Sequence, residues 1–138
     1  MELAVASVFH TPVADDSCDM VLSVFAPLGG EEFQRVLKPG GVLIRVVPLE
    51  RHLWSLKTAV YEQPYENDRE DPVLLGFSLI ETRELREAIH LENGEDILNA
   101  FSMTPYYYKT GEEDQKKLRG LAQLDTEIEF EIRTYRKS

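Results

Sequence analysis

The fold is decided by residues 32–46, which read Glu-Phe-Gln-Arg-Val-Leu-Lys-Pro-Gly-Gly-Val-Leu-Ile-Arg-Val. Phe33, Val36 and Leu37 recur at helical spacing, which predicts one or two helical turns. Residues 38–41 end that helix, because proline cannot continue it and glycine readily adopts positive φ. The continuous apolar run that follows predicts a strand buried on both faces.

Other apolar runs complete an alternation of strands and helices. Residues 20–26 are nearly continuously apolar and predict a second strand buried on both faces, and residues 3–7 predict a short one. The remaining predictions are strands over 82–91 and 127–133 and helices over about 50–61, from Asn93 or Gly94, and over 112–122. The last strand alternates apolar and charged residues, which suits a half-exposed antiparallel partner. The order predicts an α/β fold with a mainly parallel sheet, and one domain over residues 1–138.

Composition limits the possible functions. The 138 residues include 15 Lys and Arg against 25 Asp and Glu, a net charge of −10, whereas nucleic-acid surfaces carry excess basic residues. Cys18 is the only cysteine, which excludes an intrachain disulfide and a multi-cysteine zinc site. Adjacent Asp15 and Asp16 lack a third ligand, so we expect solvated loop charge and no metal. With no secretory signal and no apolar run near ~20 residues, we expect a cytoplasmic protein without membrane contact.

Two segments resemble a known family. Residues 16–24 resemble the acidic turn and fourth strand of class I S-adenosylmethionine-dependent methyltransferases. Residues 32–43 resemble the helix, glycine turn and fifth strand that follow, and their Arg-Val-Leu-Lys-Pro-Gly-Gly pattern is the more specific of the two. The resemblance implies a Rossmann-like sheet and S-adenosylmethionine as cofactor.

A narrower resemblance runs through most of the chain. Five short matches carry it: Ala6-Ser7, Phe25-Ala26-Pro27, Pro48 with Arg51-His52-Leu53 and Leu56-Lys57, Gly76-Phe77, and Met103-Thr104-Pro105. Their order and spacing are similar to those of bacterial large-subunit ribosomal RNA guanine-N1 methyltransferases. The resemblance implies methyl transfer to guanine N1 of ribosomal RNA.

Two parts of that family pattern have no counterpart in the 138 residues: a four-cysteine zinc module and the glycine-rich turn that cradles the cofactor. The resemblance therefore implies a truncated domain, strands three to seven without the first two, that is inactive alone and contacts RNA only with the missing N-terminal segment. An unpaired strand edge would favour a homo-oligomer. The alternative is a non-catalytic oligomerising interaction module derived from the same fold.

The resemblance also assigns cofactor contacts. Ala6 and Ser7 match the end of the third strand, where the family's backbone meets the adenine ring. Phe25 and Ala26 match the end of the fourth strand, beside the transferred methyl group, and His52 matches a cofactor-contacting histidine. The alternatives are a plain strand end for the first pair, core packing for Phe25 and a boundary position for His52.

Substrate contacts are predicted at Pro27, Tyr106 and Tyr107. Consecutive tyrosines at 106–108 cannot all be core residues, and their rings suit a splayed-out RNA base. The alternative is a helix break with amphipathic packing. The sequence does not require a catalytic role for any residue. His52 is the one candidate for accepting the guanine N1 proton at neutral pH.

Overall fold

The computed structural model describes residues 1–138. The strands are β1 (Cys18–Val24), β2 (Leu37–Pro48), β3 (Phe77–Leu91) and β4 (Leu124–Lys137). The helices are α1 (Gly30–Val36), α2 (Trp54–Val60), α3 (Gly94–Ser102) and α4 (Glu112–Arg119), with a 3-10 turn at Tyr107–Lys109. None of these helices has the length and apolar character that crossing a bilayer requires.

The four strands form one sheet in the order β1-β2-β4-β3. β1 runs parallel to β2, with Leu22 opposite Ile44, whereas β2 runs antiparallel to β4, with Ile44 opposite Thr134. The α/β class and the antiparallel last strand are therefore confirmed. β2 follows α1 directly and includes residues 38–41, which were predicted to separate the helix from the strand. Within β2, Gly40 has φ of 74°, a value that favours glycine.

The chain divides into two compact units, here called unit 1 and unit 2. Unit 1 comprises Met1–Pro48, Arg69–Glu84 and Phe130–Ser138, and unit 2 comprises Leu49–Asp68 and Leu85–Glu129. The core of unit 1 contains Phe33, Leu37, Leu43 and Tyr135. The core of unit 2 contains Leu56, Val60, Ile97, Phe101 and Leu118. The single partial domain expected over residues 1–138 stays a prediction.

Residues 3–7 do not form the predicted strand. Their only ladder contact is an isolated bridge between Ser7 and His10, and the side chains of Leu3 and Val5 are exposed. A short apolar run becomes a strand only when a neighbour completes its backbone hydrogen bonds, and here no strand lies beside it. The described sheet therefore begins at β1.

β1 is not buried on both faces as predicted. Ser23 on one face is buried, but Met20, Leu22 and Val24 on the other are 58%, 64% and 49% exposed. β1 is also the edge of the sheet, so one side of its backbone lacks a partner strand. A continuous apolar run does not reveal whether both faces are covered, because coverage depends on elements elsewhere in the chain.

The helices of unit 2 have identifiable start signals. α3 is capped by Asn93, whose side-chain oxygen accepts from the backbone N–H of Asp96 at 2.9 Å. α2 begins at Trp54, later than predicted, because Leu53 before it has φ of 56° and cannot be helical. The side chain of Glu127 in β4 accepts from Ser55 N–H at 2.8 Å and from Ser55 Oγ at 3.0 Å, which caps α2 from outside.

Candidate functional site

In unit 1, the carboxyl end of β1 turns sharply at Phe25. Its φ is 49°, a left-handed value that is costly for a bulky side chain. The backbone N–H of Phe25 donates to Val46 O at 3.0 Å, and its ring packs edge-on against Phe130 with centroids 6.1 Å apart. Phe25 as a whole remains 51% exposed. The strained turn is thus held by its neighbours and presents an aromatic edge where sheets of this type bind ligands.

The next residues of unit 1 contact the segment before β1. Gly29 is buried, and it lies so close to Val8 that a Cβ at position 29 would be 2.5 Å from Val8 O. A cleft of about 450 Å³ opens beside it, and its lining consists of Phe9, Leu28, Gly29, Gly30, Glu31, Glu32, Gln34, Leu74 and Leu75. Pro27 and Ala26, predicted for substrate and cofactor, directly precede this cleft in sequence, with Ala26 half-buried and Pro27 exposed.

Glu32 anchors the segment before β1 to α1. Its Oε1 accepts from both the backbone N–H and the Oγ1 of Thr11, at 2.6 and 2.7 Å. Arg35 donates to both carboxylate oxygens, at 2.6 and 2.9 Å. Hydrogen bonds from Arg35, and then from Thr11, hold the pKa of Glu32 well below its usual range. Glu32 therefore remains a structural anion, which makes it unsuitable as a general base.

Ala6 and Ser7 lie in an exposed turn of unit 1 and not at a strand end. Ser7 Oγ accepts from Phe9 N–H at 3.2 Å, and Ser7 O accepts from His10 N–H at 3.0 Å. Ala6 is exposed. The local bonds shape a surface turn, and the adenine contact assigned to this pair stays a prediction.

In unit 2, His52 lies in the turn that links β2 to α2. Its Nδ1 accepts from the backbone N–H of Glu129 at 3.2 Å, so this nitrogen carries no proton in that bond. Burial, and next the positive charge of Lys57, lower the pKa of His52. The imidazole is therefore neutral at physiological pH. This is the state that a proton acceptor or a hydrogen-bonding cofactor contact requires.

The three tyrosines have different surroundings within unit 2. Tyr108 is 87% exposed, which confirms that at least one of these rings faces outward. Tyr107 packs edge-on against Phe101, with centroids 6.1 Å apart. Tyr106 donates through its hydroxyl to Asn67 Oδ1 at 2.9 Å, and burial raises its pKa. Tyr106 and Tyr107 thus make packing and hydrogen-bond contacts within unit 2, as expected for a helix break with amphipathic packing. Their role in binding substrate stays a prediction.

The structure shows hydrogen bonds of Asn67 that the sequence analysis did not predict. Within unit 2, Asn67 joins Tyr106 to the backbone of Leu49, three residues before His52, through its Nδ2 bond to Leu49 O at 2.9 Å. Asn67 lies in a charged segment that reads as an exposed loop, so no local pattern marks it. Asp15 forms an ion pair with Arg35, and Asp16 forms one with Lys137.

The residues present fit part of a cofactor site. S-adenosylmethionine has a purine and a sulfonium that suit an exposed aromatic ring such as Phe25, beside the backbone of Ala26. The turn that holds Ala6 and Ser7 does not offer a formed strand edge to the adenine. The fit that the structure shows is therefore confined to the end of β1 in unit 1.

Comparison with known proteins gives consistent partial similarities. No protein-family profile matches the chain. Over 58 residues it is 45% identical to the Bacillus subtilis protein YxjB, named as a 23S rRNA guanine-N1 methyltransferase, a match covering 42% of this chain and 21% of YxjB. It is also 45% identical over 58 residues to the 23S rRNA (guanine(748)-N(1))-methyltransferase of Streptomyces fradiae, covering 41% of this chain and 21% of that protein. These matches span about a fifth of each relative.

Solved structures extend the similarity in fold. A Bacillus halodurans protein named as a methyltransferase superposes with a TM-score of 0.56 and 18% identity over 96% of this chain and 69% of its own. A protein described for thioacetal formation in echinomycin biosynthesis gives a TM-score of 0.55 with 11% identity, over 98% of this chain and 56% of its own. The chain thus has part of a class I methyltransferase fold, and over a shorter stretch its sequence is similar to the 23S rRNA guanine-N1 methyltransferases.

Proposed function

We propose that this chain is the carboxyl-terminal part of a class I methyltransferase that, in its complete form, methylates N1 of guanine in ribosomal RNA. The observation that supports this most directly is the 45% identity over 58 residues to proteins named for that reaction. The parallel β1–β2 pair with the strained Phe25 at its end adds a site where such a fold binds ligands.

In methyl transfer, the main task of the protein is to align the guanine nitrogen with the methyl group of the cofactor. S-adenosylmethionine supplies an activated methyl group with a good leaving group, so positioning carries most of the catalysis. Guanine N1 bears a proton that must be lost, and a neutral imidazole near the reaction accepts it best. Because Nδ1 of His52 accepts from Glu129 N–H, the neutral ring carries its proton on Nε2, so under this proposal Nδ1 takes the guanine proton and gives up its bond to Glu129.

We further propose that the 138 residues alone do not carry out the reaction, because the glycine-rich cofactor turn has no counterpart among them. Calorimetric titration of the purified chain with S-adenosylmethionine and S-adenosylhomocysteine tests this. We expect no saturable heat and an unchanged melting temperature. One-to-one binding at micromolar affinity would show that the chain holds the cofactor without that turn, and it would justify activity assays on RNA.

The ribosomal RNA target has a separate test. N1 methylation blocks the Watson–Crick edge of guanine, so reverse transcriptase stops at the modified nucleotide. We expect 23S rRNA from cells lacking the encoding gene to lose one such stop, and to regain it when the gene is restored. Identical stops in all three samples, with equal amounts of N1-methylguanosine by mass spectrometry, would contradict the proposed target.

A second candidate function is a non-catalytic module that associates with another copy of itself. The observation that favours it is the exposed apolar face of β1 at an open sheet edge. In an antiparallel pairing about Val21, Met20 would lie opposite Leu22 of the second copy and Asp19 opposite Ser23, so no like charges would meet. A clean monomer in sedimentation equilibrium at high concentration would contradict this candidate.

A further inference from the structure

A buried ammonium group without an acidic partner lies in unit 2. Lys57 is only 3% exposed, yet it forms no ion pair with a carboxylate. Its Nζ donates to Asn67 Oδ1 at 2.7 Å and to Tyr65 O at 3.2 Å. The same atom lies 4.7 Å from the ring centroid of Tyr106 and 5.2 Å from that of Tyr65. Two oxygens and two aromatic faces thus replace the usual carboxylate.

Asn67 is the common partner of this cluster. Its Oδ1 accepts from Lys57 Nζ and from the hydroxyl of Tyr106, and its Nδ2 donates to Leu49 O at 2.9 Å. Its backbone N–H donates to Glu50 O, also at 2.9 Å. The ammonium of Lys57 can only donate, which fixes the orientation of the Asn67 amide. One side chain therefore ties α2 and the tyrosine segment to the first residues after β2.

The segment that Asn67 holds is the turn of residues 49–53, which carries His52. Leu53 in this turn has φ of 56°, and strain of this kind persists only where surrounding bonds impose it. The backbone N–H groups of Leu49 and Leu53 donate to two carbonyl oxygens of β4, Glu129 O at 3.0 Å and Glu127 O at 2.8 Å. The bonds from Asn67 to Leu49 and Glu50 restrain the same turn from outside that strand.

We propose that Asn67, supported by Lys57 and Tyr106, is the positioning residue for His52. The role in methyl transfer rests on the proposed function, whereas the restraint of the turn does not. Asn67 acts through the backbone of Leu49 and Glu50 and not by touching the imidazole. Tyr106 contributes its hydroxyl to Asn67, so in this assignment it acts as a support and not as a stacking surface for a base.

The test compares Asn67→Ala and Asn67→Asp with Asn99→Ala, the same type of change at an exposed position on α3. Imidazole NMR resonances give the readout, because the chain has only three histidines and His10 and His90 serve as internal references. In Asn67→Ala we expect the His52 resonances to shift, those of the references to stay, and the Leu53 amide to exchange with solvent about tenfold faster. Asn99→Ala should leave all of these unchanged.

Asn67→Asp separates positioning from stability. The aspartate gains an ion pair with Lys57 but loses the donor to Leu49 O, so the melting temperature should be largely kept while His52 still shifts. The proposal is overturned if both Asn67 variants leave the His52 resonances and Leu53 exchange as in wild type, even if the chain melts earlier. None of these readouts uses cofactor or RNA, so a failure of the methyltransferase proposal leaves this test intact.

Discussion

Ser23 and Arg45 lie opposite each other on β1 and β2, and each has a buried polar atom that lacks a hydrogen-bond partner. The two atoms are Ser23 Oγ and Arg45 Nε. The other guanidinium nitrogens of Arg45 donate to Glu70, and Arg133 occupies the register position next to it on β4. A polar row thus crosses one buried face of the sheet with its β1 end unsatisfied.

Removing the unpaired hydroxyl should not weaken the fold. We expect Ser23→Ala to change the free energy of unfolding by between 0 and about +1 kcal/mol, because an unsatisfied buried hydroxyl is itself a cost. Thr126→Val is the contrasting control, since Thr126 Oγ1 accepts from Leu56 N–H at 3.3 Å, and losing that bond should cost about 1–2 kcal/mol. Urea denaturation measures both. A loss above about 1 kcal/mol in Ser23→Ala would mean that the hydroxyl is bonded in solution.

The cap on α2 should make stability depend on pH. Burial would raise the pKa of Glu127, but hydrogen bonds, first those from Ser55, outweigh burial and lower the pKa below its ordinary value of 4.5. A carboxylate with a depressed pKa stabilises the folded state above its unfolded pKa, and that contribution is lost as pH falls through the folded pKa.

Glu127→Gln should therefore lower the free energy of unfolding at pH 7 by about 1 kcal/mol, with the deficit shrinking below pH ~4. Denaturant titrations at pH 7, 5 and 3 give the measurement. Glu92→Gln, at an exposed position in the same unit, is the control and should track wild type at every pH. An equal deficit at pH 7 and pH 3 would show that the charge of Glu127 is irrelevant.

The elements near the glycine turn were predictable because their signals are local. The end of α1, the strand over residues 42–47 and the start of α3 at Asn93 each depend on a few adjacent residues. The exposure of Leu22 was not predictable, because the identity of an apolar strand residue does not reveal whether another element of the fold covers its side chain. Asn67 was missed for a related reason: its four bonds reach residues 10 to 39 positions away, and no local pattern encodes them.

Self-association, if it occurs through β1, should depend on the exposed face of that strand. Leu22→Lys places a charge where a second copy would pack, and lysine on an edge strand is a common device against such pairing. We expect it to convert any dimer to monomer in sedimentation velocity. Leu75→Lys, at a side chain that is 92% exposed elsewhere in unit 1, should not. Dimers that persist in Leu22→Lys would place the interface on another surface.

The close approach of Gly29 to Val8 should make this glycine irreplaceable. A Cβ at Gly29 would meet the backbone oxygen of Val8 at 2.5 Å, and a backbone atom cannot rotate away as a side chain can. Gly29→Ala should therefore displace the segment before β1 and lower the free energy of unfolding by about 1–3 kcal/mol.

Gly111→Ala is the matched control, because a Cβ there meets nothing within 4 Å and its φ of −66° suits any residue. We expect that control to stay within about 0.5 kcal/mol of wild type by urea denaturation. We also expect the effect of Gly29→Ala on amide exchange to be local. Displacing Val8 should disturb the bonds from Thr11 to Glu32, so the Thr11 amide should exchange faster in Gly29→Ala, while the Leu53 amide of unit 2 keeps its wild-type rate. Equal stability and exchange in the two variants would mean that Val8 yields to the added methyl group without cost.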